Sequence, residues 1–329
     1  MPSDNALMFD TWSVISLWTA IAVYALAFIC YAVDLAKRSD ESIRQKDREL
    51  VMAGGSGSSP ASGADAGQPV PHTNNVMGRI ATTLTWIAFL LHLAATVLRG
   101  IGAGRVPWSN MYEFAMTATV LFTAVYLGVL FWKDLRYVGA FMTGLVTILL
   151  GAASLPAIYV QITPLSDPLK STWLVIHVFV ASLATAFLAL AFALSVLQLL
   201  QTRRERRVRE DPEHAEKKSL LRTIPKAEDL ESLAYRVTII GFIFWTFTLI
   251  AGAIWAQDAW GRYWGFDTKE VWTFIIWVLY AGYIHARATR GWRGVRSAWL
   301  AIVGFAAVLF NFTIVNLFFD GLHAYSGIS

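Results

Sequence analysis

The sequence predicts an all-α polytopic membrane protein with about eight transmembrane helices and both termini on the extracytoplasmic side. Three observations carry this prediction. Hydrophobic residues make up 56% of the 329. They gather into apolar runs near or above the ~20 residues that a ~30 Å bilayer core demands. The basic residues are sorted by side: with the N-terminus outside, 22 of the 27 Lys and Arg fall on the inner side and the other 5 outside. That bias sets orientation and predicts a multi-pass protein of the plasma membrane.

The spans lie at about 12–36, 79–100, 110–132, 137–157, 172–200, 232–256, 270–288 and 297–319. The first is long enough to cross and is followed by Lys37-Arg38, so residues 1–36 read as a retained transmembrane helix rather than a cleavable signal. Residues 37–78 read as a cytoplasmic low-complexity linker. They begin charged and become Gly-Gly-Ser-Gly-Ser-Ser-Pro-Ala-Ser-Gly-Ala-Asp-Ala-Gly over 54–67, too poor in apolar residues to order itself. His72 in its tail reads as solvated. Residues 79–329 hold the other seven helices. Between the fifth and sixth spans, 201–231 carries Arg203-Arg-Glu-Arg-Arg207 and reads as a helical extension beside the anionic inner leaflet, with His214 facing solvent.

Composition excludes several classes. The net charge of +4 follows from the sidedness of the loops, so no nucleic-acid partner is implied. Cys30 is the single cysteine. It permits neither an internal disulfide nor a Cys-x-x-Cys-His site, so the chain carries no covalent haem and runs no dithiol relay.

The stretch 255–272 stands apart: Trp255-Ala-Gln-Asp-Ala-Trp260-Gly-Arg-Tyr-Trp264-Gly-Phe266-Asp-Thr-Lys-Glu270, then Val271 and Trp272. Irregular backbone is not left in lipid, so this Gly-broken loop sits at the surface or lines a cavity. One reading is an interfacial aromatic belt. The other is a set of aromatic faces that hold a flat ring, with charged neighbours for its substituents.

Four histidines fall in or beside spans: His92, His177, His285 and His323. An ionisable residue in a span is a functional hypothesis, against the alternative of a simple hydrogen bond between helices. At 1.5 Å per residue, His177 lies ~9 Å below the outer start of its span. His323 directly follows the last span, so both belong to the outer side with the aromatic loop. His92 falls near mid-membrane and His285 ~22 Å below Glu270, so this second pair is uneven in depth. Small residues share their helix faces: Ala88, Ala95 and Thr96 beside His92, Ala281 and Gly282 beside His285, Ala181 and Ala184 beside His177. They make room for a macrocycle or for close helix packing. Two trans imidazoles with aromatic walls favour haem iron. A catalytic zinc site needs a third close ligand, and no His-x-x-x-His spacing appears.

Trp260-Gly-x-x-Trp264-Gly-Phe266-Asp267-x-Lys-Glu270 closely resembles the tryptophan-rich WWD signature of haem-handling proteins. Arg105-Val-Pro-Trp-Ser-Asn-Met-Tyr-Glu-Phe114 is similar to the Pro-x-Ser-Asn-x-Tyr-Glu segment of the CcsA/ResC family of cytochrome c biogenesis, labelled CcsB in some lineages. Trp173-Leu-Val-Ile-His177, Tyr283-Ile-His285-x-Arg287 and Gly321-Leu-His323-x-Tyr325 resemble its histidine contexts, and Leu230-Glu-Ser-Leu-Ala-Tyr-Arg236 its lead-in to the sixth span. The resemblance covers roughly residues 80–325. It implies a system II machine that binds haem b as cargo and, with a ResB-type membrane partner, joins it to Cys-x-x-Cys-His of apocytochrome c, as part of a cytochrome c synthase (haem lyase) complex. It implies His92 and His285 as iron ligands in the membrane, and His177 and His323 as iron ligands at an outer attachment site. Trp255, Trp260, Trp264 and Phe266 are then expected as haem walls, and Arg262 and Lys269 as propionate partners. Asp267 is expected at the attachment site, where it and Glu270 fix the loop or the following helix start. Phe266 stands where the family commonly has Trp, and Thr268 where Pro is frequent. Two other functions remain open: a haem transporter or chaperone without ligase activity, and a b-type electron-transfer cytochrome.

The basic-residue bias makes a direct prediction. Reporter fusions near residues 60 and 215 are expected to read cytoplasmic, and one after residue 325 external. An internal C-terminus would separate His323 from the outer side.

Overall fold

The computed structural model describes residues 4–54, 76–211, 220–319 and 321–322, with backbone alone at 39–54 and 317. Its described elements are helical, in the order α1 (Asp4–Gly54), α2 (Val76–Ala103), α3 (Met111–Leu130), α4 (Gly139–Ala153), α5 (Thr172–Glu210), α6 (Ala227–Trp260), α7 (Thr268–Arg290), α8 (Val295–Phe312) and the short α9 (Ile314–Phe318). Among the described residues, seven stretches are long and apolar enough to cross a bilayer. The seventh expected span, α7, has the length at 23 residues. Its apolar surface is largely aromatic, and it falls below that apolarity.

The sequence places the starts of α3 and α5 within a residue, because each has a capping side chain just ahead of it. Asn110 accepts the Glu113 N–H at 2.9 Å, and Ser171 Oγ accepts the Trp173 N–H at 3.1 Å. Two departures bear on the expected linker and loop. The first helix does not stop near residue 36 but runs to Gly54, because Asp40–Leu50 is rich in Glu, Gln, Lys and Arg, which propagate a helix well without an apolar face. The rest of the expected linker, with His72, lies outside the described residues, as does His214. The expected loop 255–272 is mostly helix: α6 runs through Trp260 to a left-handed Gly261 at φ 71°, and α7 begins at Thr268.

α9 continues the span of α8 after a break at Thr313. α1 packs on α2 and α4, and α3 packs on α4; α5 packs on α6 and α8, and α7 on α8. The two groups meet where α3 lies on α5. α5 and α6 approach closely at Gly241, where a Cβ would sit 2.8 Å from Leu188 Cδ2.

Buried charges tie the helix ends. At the end carrying the N-termini of α1, α3, α5 and α7, the Arg99 guanidinium donates to Asp10 at 2.5 Å, to Glu113 at 3.0 Å and to the Val160 carbonyl at 2.7 Å. Arg105 donates to the other Glu113 oxygen at 2.6 Å, and Tyr159 donates to Asp10 at 2.7 Å. The Arg99 and Glu113 side chains have no exposed surface. This network joins α1, α2, α3 and the segment after α4. At the opposite end Glu231 pairs with Arg287 and accepts the Gly294 N–H at 2.9 Å, while Asp34 accepts the Gly78 N–H at 3.0 Å.

Removing one partner of a buried pair strands the other, at a cost of about 3–5 kcal/mol. Glu113→Ala is therefore expected to lower the melting temperature in detergent well below that of an exposed-pair control such as Glu210→Ala. Equal melting of the two variants would show that this network does not hold the four segments together.

Candidate functional site

A cavity of about 280 Å³ opens at the end where α5 and α7 start and α6 ends. It lies between α3, α5, α6 and α8 and is close to the lower limit of ~300 Å³ for small-molecule pockets. Its walls are mainly apolar and aromatic, with Trp108, Phe114, Trp245, Trp255 and Trp264 among them. The polar groups include His177 on α5, Lys269, Glu270 and Thr273 on α7, Asn110 ahead of α3, Asn311 on α8 and Asn316 on α9, with a few threonine and serine hydroxyls. An apolar chamber with a few convergent polar side chains is the usual form of a binding site for a small organic ligand.

His177 is held in one orientation. Its Nδ1 lies 3.0 Å from the Thr248 carbonyl. A carbonyl only accepts, so Nδ1 carries the proton and, in the neutral ring, the lone pair is on Nε2. The ring stacks on Trp255 with centroids 5.8 Å apart and 19° between planes. Trp255 is fixed in turn by donating Nε1–H to the Pro168 carbonyl at 2.9 Å. Gly252 makes the remaining space, since a Cβ there would come 2.7 Å from His177 Cε1. A histidine whose second nitrogen is anchored to a main-chain carbonyl has the arrangement of a metal-ligating imidazole.

The loop Gly261–Asp267 caps the chamber and is built around Glu270. Glu270 Oε2 accepts the N–H groups of Gly265 at 2.8 Å and Asp267 at 3.1 Å, and Oε1 meets Arg262 Nη1 at 3.4 Å. Asp267 completes a capping box at the start of α7. The expectation that Asp267 and Glu270 fix the loop and helix start thus has a specific form. Arg262 also lies over the Trp260 ring at 5.9 Å, and it does not line the chamber. Lys269 does, and its Nζ donates to Asn316 Oδ1 at 2.6 Å. A cation held by a neutral amide inside an apolar chamber suits an incoming carboxylate.

The expected aromatic wall is redistributed. Trp255 and Trp264 line the chamber. Trp260 instead stands edge-on behind Trp255, with centroids 4.8 Å apart. Phe266 is 79% exposed at the loop tip and, at φ 58°, is the one described non-glycine residue in the left-handed region. That backbone costs of order 1–3 kcal/mol for a bulky side chain. The cause of both departures is that α6 runs on to Trp260, which shortens the loop and turns its tip outward.

Of the two expected histidine pairs, only His92 and His285 lie wholly among the described residues. His92 is fully buried between α1, α2 and α3. Its Nε2 donates to the Met116 carbonyl at 3.0 Å, and its Nδ1 faces Tyr24 Oη at 3.5 Å. His285 is exposed on α7, which packs on α6, α8 and α9, whereas α2 packs on α1 and α3. The expected shared site for His92 and His285 is therefore not assembled within this chain. His323 lies outside the described residues. Among those described, no three His, Cys, Asp or Glu side chains gather as a bare metal ion would need. Sequence reasoning missed Trp108, Trp245, Asn311 and Asn316. Trp108 and Asn110 stand in the Pro-x-Ser-Asn segment and were legible as a motif. Asn311 and Asn316, polar residues in an apolar run, were the only signal for the rest.

Residues 108–323 match the family model for the cytochrome C assembly protein. The chain is similar to the cytochrome c biogenesis protein CcsA of Guillardia theta, 36% identical over 244 residues, which cover 70% of this chain and 80% of that one. It is similar to CcsA of Synechococcus sp. (strain JA-3-3Ab), 33% identical over 294 residues, covering 75% and 84%. Among solved structures it resembles the cytochrome c haem lyase CcmF with a TM-score of 0.61, covering 92% of this chain and 46% of that one. At 17% identity this likeness shows a shared fold.

The loop geometry can be tested without a ligand. Glu270→Ala leaves two main-chain N–H groups without their acceptor, a loss of about 1–3 kcal/mol. Protease cleavage within 261–267 is expected to accelerate while helix content stays constant. Cleavage at the wild-type rate would mean that Glu270 does not hold the loop.

Proposed function

Because the chain belongs to the cytochrome c assembly protein family and works in cytochrome c biogenesis, we propose that its chamber holds haem b as cargo beneath the Trp264 loop and presents it for covalent attachment. The observation that carries this reading is His177: an imidazole with its tautomer set by Thr248, stacked on Trp255 and bordering an aromatic chamber. His177 is one axial ligand and His323 the other. Trp264, Trp255, Trp108 and Phe114 supply the walls, and Lys269 receives a propionate. The chamber mouth faces the extracytoplasmic side, in keeping with the basic-residue bias.

Attachment adds a cysteine S–H across a haem vinyl group: a C–S bond forms, the proton goes to the other vinyl carbon, and nothing leaves. Such an addition gains most from holding thiol and vinyl together, which a rigid pocket and a bound apocytochrome provide. The exposed Phe266 and Tyr263 at the loop tip are placed to meet that polypeptide. His285 is exposed among the described residues. Haem held there would take its second ligand from a ResB-type partner.

Purified chain and partner are expected to transfer haem to a Cys-x-x-Cys-His peptide, and the chain without its partner to do so poorly. His177→Ala is expected to lower copurified haem, with partial recovery in added imidazole, which fills a vacant ligand position. Trp264→Ala is expected to lower haem without that recovery, because an apolar wall is missing instead. Wild-type haem content and attachment in both variants would remove this site; haem transfer without thioether formation would favour a carrier without ligase activity.

A further inference from the structure

The hydrogen bonds of the chamber wall leave one strong acceptor over. The hydroxyls of Thr119, Ser182, Thr185 and Thr248 each donate to the carbonyl one turn back in their own helix, at 2.6–2.9 Å. The side-chain oxygens of Asn110 and Asn316 are taken by the Glu113 N–H at 2.9 Å and by Lys269 Nζ at 2.6 Å. Asn311 differs. Thr273 Oγ1 donates to the Lys269 carbonyl at 2.7 Å, so towards Asn311 it only accepts, and Asn311 Nδ2 lies 3.3 Å from it. That relay fixes the orientation of the amide. Asn311 Oδ1 has no hydrogen-bond partner among the described residues, on a residue only 6% exposed. A buried amide oxygen without a donor is costly, so a donor that arrives with the ligand is favoured.

We infer that Asn311 is a specificity residue of the chamber, whose Oδ1 accepts a hydrogen bond from a protonated carboxyl of the cargo while Lys269 receives the other carboxyl as its anion. This assignment rests on the reading that the chamber holds haem. Haem b carries two carboxyls on neighbouring side chains of one edge, and Lys269 and Asn311 are neighbours too, joined through Thr273. A carboxylate only accepts, so an ionised group would set oxygen against oxygen at Asn311. A neutral carboxyl donates its O–H there. Charge points the same way. Glu270 is committed to Arg262 and to the loop N–H groups, and Lys269 spends one of its three donors on Asn316. One ammonium offsets one carboxylate, and a second anion left among apolar and aromatic walls is driven to take a proton. The chamber thus favours an acid or amide edge and disfavours an ester.

Three iron porphyrins separate the parts. They are haem b, its primary diamide, whose N–H groups donate without charge, and its dimethyl ester, which only accepts. Each is titrated into haem-depleted full-length protein in detergent with the partner present. The absorption change that His177→Ala abolishes is taken as chamber binding. The wild type is expected to bind the diamide about tenfold more tightly than the ester, both being neutral at that edge. Asn311→Leu is expected to weaken haem b and the diamide about tenfold and to leave the ester unchanged. Without ligand the variant is expected to melt no lower than the wild type, because an apolar side chain of similar size replaces an orphaned acceptor. The wild-type comparison of diamide with ester needs no variant at all.

Equal binding of diamide and ester by the wild type, or equal weakening of all three ligands by Asn311→Leu, overturns the inference and leaves Asn311 as a wall residue. A weakened diamide beside an unchanged haem b overturns the protonated carboxyl. Absence of His177-dependent binding for all three porphyrins removes the haem reading itself and the role of Asn311 with it, an outcome distinct from the other two.

Discussion

The structure depends on a carboxylate folded beneath a chain reversal, shared between arginine and main-chain N–H groups. Glu113 meets Arg99 and Arg105 and accepts the Ser109 N–H at 3.0 Å. Glu270 meets Arg262 and accepts the Gly265 and Asp267 N–H groups. Glu231 meets Arg287 and accepts the Gly294 N–H. At the other hairpin, Asp34 meets Arg38 and accepts the Gly78 N–H. The reason is general. A helix start carries N–H groups with no intrahelical acceptor, and near lipid an unsatisfied one is costly. A carboxylate satisfies them and an arginine offsets its burial, so each reversal is fixed without needing an apolar core.

This device places the chamber. Two of the four reversals, at Glu113 and Glu270, hold Trp108, Asn110 and Phe114 on one side and Trp264 and Lys269 on the other. Between them stands α5, whose buried face is rich in alanine at 184, 186, 189, 191 and 193. Short side chains there let α3, α6 and α8 approach lower down, while the aromatic residues at the end hold the helices apart. A chamber at the end of the bundle follows from that gradient of side-chain volume, with no separate domain to enclose it.

Much of the fold was legible because it rests on local signals. Asn110 and Ser171 mark helix starts by their own chemistry, and Asp267 with Glu270 at the third position marks α7. The length of each apolar run gave the spans. What escaped the sequence lies where a local signal competes with context. Residues 40–54 carry helix-forming side chains but no apolar period, so they read as linker. Trp260 reads as part of a loop because Gly261 and Gly265 follow, yet the helix of α6 includes it, and its ring backs Trp255 instead of facing a ligand. Lys269 was legible as a charge near an aromatic loop. That its partner is Asn316, 47 residues later, required the packing of α9.

The two buried-side histidines show why residue type and depth do not identify a ligand. His92 and His177 each sit in a span, each beside small residues, and each donates one ring N–H to a main-chain carbonyl, of Met116 and Thr248. They differ in what meets the rest of the ring. At His92, Tyr24 closes on it edge-on, with centroids 6.0 Å apart and planes at 89°, and the packing around it is complete. At His177, Gly252 removes a side chain from one side and Trp255 supplies a parallel face on the other. The carbonyl sets the tautomer in both cases. Only a missing Cβ and a flat neighbour turn such an imidazole toward a chamber, so the competence of His177 resides as much in Gly252 and Trp255 as in the histidine itself.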